Sequence, residues 1–270
     1  MIPAQFDYVL AESADHALGL LAEHGDDAKV LAGGHSLLPM MKLRLAVPEL
    51  LIDIGRLDDL AGVSADGEDL VIGATTRHAD LAASELVRAE APLLAYAAAQ
   101  VGDPQIRHRG TLGGSLSHAD PAADLPMALV ALGGTVEVQG PGGTRTVSAD
   151  DFFQGYFETA LQPDELLTAV RVPRRPGVPW GYQKFVRRSN DWAIVGVAAV
   201  ADRIALASRG PTPLRARAAE EALAAGAGAA DAAALAADGT SPGEDIHADR
   251  EYRRHLARVL TRRALEHQAA

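Results

Sequence analysis

The chain has 270 residues, no cysteine and a formal net charge of −11 at pH 7. Without cysteine it forms no disulfide and supplies no thiolate to zinc or to an iron–sulfur cluster, and its negative charge argues against a general surface for nucleic acid or an anionic membrane. No stretch is apolar for long enough to span a bilayer and the start lacks the features of a signal peptide, so we expect a cytoplasmic protein.

The first sixty residues are predicted to form a βαβ-like unit. Helices are expected between Ser13 and Gly25 and directly after Ser36, because serine favours the start of a helix and glycine its end. The strands are expected at Lys29–Ala32 and Leu50–Ile54, where the chain is mostly apolar.

A second unit is predicted over residues 61–176. Its long helix is expected at Ser84–Val101, ended by the Gly-Asp-Pro sequence that follows. A short helix is expected before it and another helix up to Leu132. The strands of this unit are predicted at Leu70–Ala74, Thr135–Gln139, Thr144–Val147 and Leu166–Val172.

A proline-rich linker, Pro173–Pro179, leads into a smaller unit over residues 177–270. This unit is predicted to hold a meander of three strands followed by two alanine-rich helices, around Arg215–Ala225 and Asp249–Glu266. The fold class predicted for the whole chain is α+β, with three subdomains at residues 1–60, 61–176 and 177–270.

Two Gly-Gly pairs are the most informative local feature. Gly33-Gly34 and Gly113-Gly114 are expected to be loops in which glycine permits a positive φ and the close approach of a ligand. Consecutive N–H groups in such a loop can form a concavity for an anion, and two such loops predict a cradle for a diphosphate. Neither pair lies in the Gly-x-Gly-x-x-Gly fingerprint or a P-loop, so ordinary doubly wound dinucleotide binding is not expected.

Three segments resemble a known family. Residues 32–39 (AGGHSLLP), followed by MKLR at 41–44, resemble the first FAD signature of the medium, flavoprotein subunit of molybdenum hydroxylases such as carbon monoxide dehydrogenase and xanthine dehydrogenase. Residues 110–115 (GTLGGS) with 120–126 (DPAADLP) resemble the second signature. Lys184-Phe185, with Arg187-Arg188 before Asp191, resembles the start of the C-terminal domain of that subunit.

The resemblance implies a two-subdomain FAD-binding fold like that of vanillyl-alcohol oxidase (the PCMH-like fold), followed by a small α/β C-terminal domain. It implies that the diphosphate lies against the two Gly-Gly motifs, and that Val101 and Leu167 make apolar or backbone contacts to FAD. The implied cofactor-binding residues are Ala32, Gly33, Gly34, His35, Ser36, Leu37, Thr111, Gly113, Gly114, Ser115, Asp124, Leu167, Lys184 and Trp192.

Four of these residues have a second interpretation. Asp124 is expected to bind ribityl or ribose hydroxyls, or otherwise to cap a helix. Trp192 either stacks near the isoalloxazine ring or packs in the core. Lys184 either places positive charge near the N1–O2 edge of the flavin or lies on a strand surface. His35 is expected to hydrogen-bond within its loop rather than to bind the flavin covalently.

The resemblance implies an electron-transfer subunit with no catalytic residue or metal site of its own. FAD would be on this chain, and iron–sulfur clusters and a molybdenum pterin would be on small and large partner subunits in a hetero-oligomer. Two alternatives stay open from the residues alone: a stand-alone flavin oxidoreductase of the same superfamily, and a non-redox module that binds another nucleotide.

Overall fold

Three β-sheets, each with its own apolar core, organise the molecule. The computed structural model describes residues 2–268, and helices and sheets alternate along them in an α+β arrangement. Within these residues no helix is both long and apolar enough to cross a membrane.

The first sheet is parallel, with strand order β1-β3-β2. Ser13 caps the first helix by accepting a hydrogen bond from the N–H of His16, and Gly25 follows its last residue, as predicted. The elements of this unit are β1 (Asp7–Leu10), α1 (Ala14–His24), β2 (Ala28–Leu31), α2 (Leu37–Lys42) and β3 (Leu50–Asp53), with 3-10 turns at Gly25–Asp27 and Asp58–Leu60.

The second sheet is antiparallel, with order β4-β5-β10-β6-β7, and a group of short helices covers it. Its strands are β4 (Val63–Asp66), β5 (Asp69–Gly73), β6 (Thr135–Gly140), β7 (Gly143–Ser148) and β10 (Leu166–Pro173). A separate hairpin consists of β8 (Phe153–Gly155) and β9 (Glu158–Thr159). The helices are α3 (His78–Ala83), α4 (Glu85–Glu90), α5 (Pro92–Ala99), α6 (Pro104–Arg109), α7 (Leu112–His118), α8 (Asp124–Leu132) and α9 (Ala149–Phe152).

The third sheet is an antiparallel meander, order β11-β12-β13-β14, followed by three helices. Because the sheet is antiparallel and the helices come after it, this unit is α+β rather than the predicted α/β. Its elements are β11 (Trp180–Phe185), β12 (Val195–Val200), β13 (Arg203–Ala207), β14 (Leu214–Arg215), α10 (Arg217–Ala224), α11 (Ala229–Ala234) and α12 (Arg250–Glu266).

Strand β12 joins the third unit to the second because both of its faces are buried. Val197 and Ala199 belong to the core of the third unit, which α12 covers. Ala198 and Val200 point the other way, as alternate residues of a strand must, and belong to the core that contains α8. The third unit is therefore packed on the second through an apolar contact.

The predicted long helix at Ser84–Val101 is wrong in one respect, because it is broken into α4 and α5. Proline at position 92 has no N–H to continue the helix and restricts the residue before it, so Ala91 leaves the helical conformation, with φ −144° and ψ 59°. The sequence analysis also did not predict β1, α6 or α11. The residues of β1 are mostly exposed and lack an apolar alternation that would mark a strand.

Replacing Gly181 with alanine should destabilise the third unit. A Cβ on Gly181 would lie 2.7 Å from the carbonyl carbon of Ala264 in α12, so helix and strand would have to separate. We expect Gly181→Ala to lower the free energy of unfolding by about 1–3 kcal/mol in urea titrations followed by circular dichroism.

The matched control is Gly19→Ala, in α1, where an added Cβ meets nothing within 4 Å. Alanine is the better helix former, so this variant should be unchanged or stabilised by up to about 1 kcal/mol. Equal stability of the two variants would contradict the close packing of β11 on α12.

Candidate functional site

A cavity of about 580 Å³ lies where the first and second units meet, at the carboxyl end of β2. It brings together segments that are far apart in the sequence. Of the fourteen predicted cofactor-binding residues, all except Lys184 line it: Ala32, Gly33, Gly34, His35, Ser36, Leu37, Thr111, Gly113, Gly114, Ser115, Asp124, Leu167 and Trp192.

The first glycine motif forms a loop with free hydrogen-bond donors. Gly34 has φ +78°, which glycine adopts at little cost. Among the described residues, none accepts a hydrogen bond from the N–H groups of residues 33–36. The hydroxyl of Ser36 does not cap α2 either. Four adjacent N–H groups and a hydroxyl are therefore available beside the cavity, an arrangement suited to an anion.

The second glycine motif is not a loop, which corrects the sequence prediction. Thr111 caps α7 through its Oγ1, which accepts a hydrogen bond from the N–H of Gly114 at 3.2 Å. The N–H of Gly113 donates to Ala74 O at 2.8 Å, so both glycine N–H groups are already used within the protein. Neither glycine has a positive φ. This motif therefore contributes the hydroxyls of Thr111 and Ser115 to the cavity wall, and at Gly113 and Gly114 its backbone is not covered by side chains.

Glycine is required at these positions by packing between backbones. A Cβ on Gly33 would lie 2.8 Å from Gly110 Cα and closer still to the carbonyl oxygen of Arg109. A Cβ on Gly113 would lie 2.6 Å from the Cβ of Ala74. The two motifs thus touch each other directly at Gly33 and Gly110, and the second is seated on the segment that follows β5.

Asp124 is the first residue of α8 and is buried, with 3% of its surface exposed. Its Oδ2 accepts a hydrogen bond from Lys184 Nζ at 2.9 Å, and its Oδ1 accepts one from the hydroxyl of Tyr182. The capping alternative for Asp124 is wrong, because Ala123 occupies the N-cap position. The surface alternative for Lys184 is also wrong, since its side chain is 7% exposed and also donates to Gln100 O at 3.1 Å.

The charges in this group are set by burial and pairing. Burial raises the pKa of Asp124 above its ordinary value, and the charge and hydrogen bond of Lys184 and the hydroxyl of Tyr182 offset this rise only in part. Burial and the neighbouring Asp124 carboxylate raise the pKa of Tyr182 well above its ordinary value, so Tyr182 keeps its proton and donates a hydrogen bond to the carboxylate. Lys184 thus pairs with the Asp124 carboxylate but does not itself line the cavity.

Trp192 lies on the loop between β11 and β12 and is 54% exposed. The core-packing alternative is therefore wrong for Trp192. Its side chain lines the cavity and also borders a second cavity of about 670 Å³, which lies between the second and third units. His35 is exposed at the cavity, and Leu167 is buried at a bulge where β10 shifts its register against β6.

The sequence analysis missed several residues of this site. His78 lines the cavity from the start of α3, and Gln162 and Pro163 line it from the turn before β10. Tyr182 could have been found, because it lies two residues from Lys184 on one strand and so shares its face. Within residues 2–268, no group of three or more His, Asp or Glu side chains is placed to hold a metal ion.

Comparison with known proteins gives matches over almost the whole chain. A family model described as the FAD binding domain in molybdopterin dehydrogenase matches residues 4–175, and one for the CO dehydrogenase flavoprotein C-terminal domain matches residues 180–268. The carbon monoxide dehydrogenase medium chain of Hydrogenophaga pseudoflava is 43% identical over 98% of this chain and 97% of that protein.

Two solved structures have the same fold over nearly their full length. A carbon monoxide dehydrogenase from Hydrogenophaga pseudoflava, which lacks the Mo-pyranopterin moiety of its molybdenum cofactor, matches at a TM-score of 0.94 with 44% identity, covering 98% of both chains. Quinoline 2-oxidoreductase from Pseudomonas putida 86 matches at 0.92 with 34% identity, covering 98% of this chain and 97% of that one.

Removing Lys184, the charged partner of the buried Asp124 carboxylate, should destabilise the folded protein. Lys184→Met leaves the buried Asp124 carboxylate without its counter-ion and with only the hydroxyl of Tyr182 as a side-chain partner, so we expect the free energy of unfolding at pH 8 to fall by about 3–5 kcal/mol. Without Lys184 the pKa of Asp124 rises further, so the folded protein takes up a proton more readily as the pH falls. The loss should therefore be smaller at pH 5 than at pH 8.

Urea titrations at the two pH values measure this, with Lys42→Met as the control because Lys42 is exposed. Asp124→Asn combined with Lys184→Met should cost less than the sum of the two single substitutions, since the charged partner is then absent. A loss that does not depend on pH would show that the ion pair does not govern the stability of this group.

Proposed function

The chain belongs to the family of FAD-binding medium subunits of molybdenum hydroxylases, and we propose how its own residues hold the dinucleotide. In this role the subunit receives electrons from an iron–sulfur partner and passes them to an external acceptor. Bound FAD supplies the redox chemistry, since a flavin accepts electrons singly or in pairs. This chain binds the cofactor, orients it and limits access to it.

The observation that carries the proposal is the cavity at the junction of the two glycine motifs. Thirteen of the fourteen residues implied by the family signatures line it. The residues fit the dinucleotide: the free N–H groups of residues 33–36 suit a diphosphate, and the close contact at Gly33 leaves no side chain between the two motifs.

Each segment of the cavity would take a different part of FAD. The loop at residues 32–37 would hold the diphosphate through its N–H groups and the hydroxyl of Ser36, while Thr111 and Ser115 would add hydroxyls from the second motif. Asp124 would accept hydrogen bonds from ribityl or ribose hydroxyls, since a carboxylate is a strong acceptor. Lys184 is a positioning residue in this proposal, because it holds the Asp124 carboxylate.

Apolar contacts would hold the ring system. Leu167 at the bulge of β10 and the half-buried Val101 lie on the wall of the cavity, where they would contact FAD. Trp192 is the exposed aromatic residue at its mouth, and its indole is available to stack on the isoalloxazine ring. His35 borders the loop and would hydrogen-bond there.

The partners follow from what this chain lacks and from its relatives. Iron–sulfur clusters are held by cysteine thiolates, and the sequence has no cysteine, so the clusters must be on another polypeptide. The relative from Hydrogenophaga pseudoflava is a medium chain, and the enzyme of the same organism has a molybdenum cofactor. We therefore propose a hetero-oligomer with an iron–sulfur small subunit and a molybdenum-pterin large subunit.

The finer description of the fold is also part of the proposal. A vanillyl-alcohol-oxidase-like arrangement with subdomains at residues 1–60 and 61–176, followed by a domain at 177–270, is supported by three sheets with separate cores. The cytoplasmic location stays a prediction.

Purification of the native complex through a tag on this chain tests the function. We expect flavin absorption bands together with iron–sulfur absorbance, and two additional subunits in the preparation. Flavin alone, reduced by a substrate without any partner, would instead indicate a stand-alone oxidoreductase. A colourless chain that fails to bind added FAD would overturn the proposal.

Gly33→Ala should weaken FAD binding, because a Cβ there forces the first motif away from Arg109 and Gly110. Loss of one or two diphosphate hydrogen bonds would raise the FAD dissociation constant by about tenfold or more, measured by quenching of flavin fluorescence. Gly142→Ala, where nothing lies within 4 Å of an added Cβ, is the control and should bind as the wild type does. Wild-type affinity in Gly33→Ala would contradict the proposed cradle.

A further inference from the structure

His78 is a buried polar side chain of the cavity that neither glycine motif contains. It is 4% exposed, and its imidazole lines the cavity from the start of α3. Its backbone N–H donates to Gly110 O at 2.9 Å, so the residue is fixed to the second motif. Nδ1 of the ring is buried and has no hydrogen-bond partner among residues 2–268.

The other nitrogen of the ring lies against the contact between the two motifs. A Cβ on Gly110 would lie 2.8 Å from both Nε2 and Cδ2 of His78, which places this edge of the ring beside the Gly110 backbone. The same Gly110 Cα is the atom on which Gly33 packs. His78 and Gly33 therefore contact the same residue of the second motif, Gly110.

The surroundings keep the ring uncharged. Burial, followed by the charges of His35 and Arg107, lowers the pKa of His78 to about 4. At pH 7 the imidazole is neutral and has one N–H donor and one acceptor nitrogen. With the proton on Nε2, the donor is the nitrogen beside Gly110, and no residue of 2–268 accepts a hydrogen bond from it. A donor at the wall of a cavity is normally satisfied by a ligand or a water molecule.

We propose that His78 is a further FAD-binding residue, whose Nε2–H donates a hydrogen bond to an oxygen of the FAD diphosphate beside the Gly33–Gly110 contact. The proposal rests on the proposed function, since it assigns a contact within the same site. With the proton on Nε2, the buried Nδ1 is left as the acceptor. The first motif then supplies backbone donors to the diphosphate, and His78 supplies a side-chain donor from the neighbouring segment.

Glutamine and asparagine variants separate the two ring nitrogens. The amide nitrogen of glutamine can replace Nε2, whereas that of asparagine lies closer to the position of Nδ1. For the full chain at pH 7, we expect His78→Leu and His78→Asn to raise the FAD dissociation constant about tenfold, and His78→Gln to stay within about threefold of the wild type. His255→Leu, at an exposed histidine of α12, is the matched control and should not change it.

Phosphorus NMR of bound FAD provides a readout that a purely structural role would not move. The diphosphate resonances should shift in His78→Asn and remain close to those of the wild type in His78→Gln. Melting temperatures of the unliganded variants check folding, and the Gln–Asn comparison still tests the proposal if His78→Leu does not fold.

Three outcomes would separately contradict the role of His78, its hydrogen bond to the diphosphate, and FAD binding by the chain. Wild-type affinity in every variant would reject the role of His78 while leaving FAD binding by the chain intact. Equal losses in the Gln and Asn variants, with unshifted phosphorus resonances, would show that the ring acts by its shape alone. Failure of the wild-type chain to bind FAD would instead reject the proposed function itself.

Discussion

The cavity depends on one contact between backbones, where Gly33 of the first unit meets Arg109 and Gly110 of the second. A side chain at position 33 would push the two units apart, because the nearest atoms belong to the main chain and have no rotamer to change. Hydrogen bonds from residues 112 and 113 to the segment after β5 keep the second motif in its position. The contact therefore fixes the distance between the wall that offers free donors and the wall that offers hydroxyls.

The two motifs look alike in sequence but contribute differently. The first keeps its N–H groups available, and Gly34 supplies the positive φ that turns the loop. The second uses its N–H groups to cap and seat α7, so its glycines serve close packing. This division also agrees with a net charge of −11 in a chain with a proposed diphosphate site, because free backbone N–H groups act locally and do not require a basic surface.

Local signals predicted the parts of the fold that depend on neighbouring residues. Ser13 and Gly25 bound α1 as capping preferences require, and the strands at β3 and β10 follow from their apolar runs. The helix at residues 112–118 could not be predicted in this way, because two adjacent glycines disfavour a helix until Thr111 caps it and Ala74 packs against it. The pairing of Asp124 with Tyr182 and Lys184 likewise joins residues 58 and 60 positions apart. The family signatures pointed to Asp124 and Lys184, but only the fold shows that Asp124 lines the cavity and that Lys184 contacts Asp124 from outside it.

This buried group also connects the cavity to the third unit. Asp124 begins α8, which packs under the third sheet, whereas Tyr182 and Lys184 belong to β11 of that sheet. A carboxylate buried to this degree is tolerated because the third unit supplies both its counter-ion and its hydroxyl donor. Any movement of β11 away from α8 would leave the charge unpaired, so the ion pair opposes separation of the units in addition to the apolar contact at β12.

The loop that carries Trp192 connects strands β11 and β12, and is thereby held at the mouth of the cavity. The third unit therefore takes part in the site by fixing both the carboxylate inside the cavity and the aromatic side chain at its entrance.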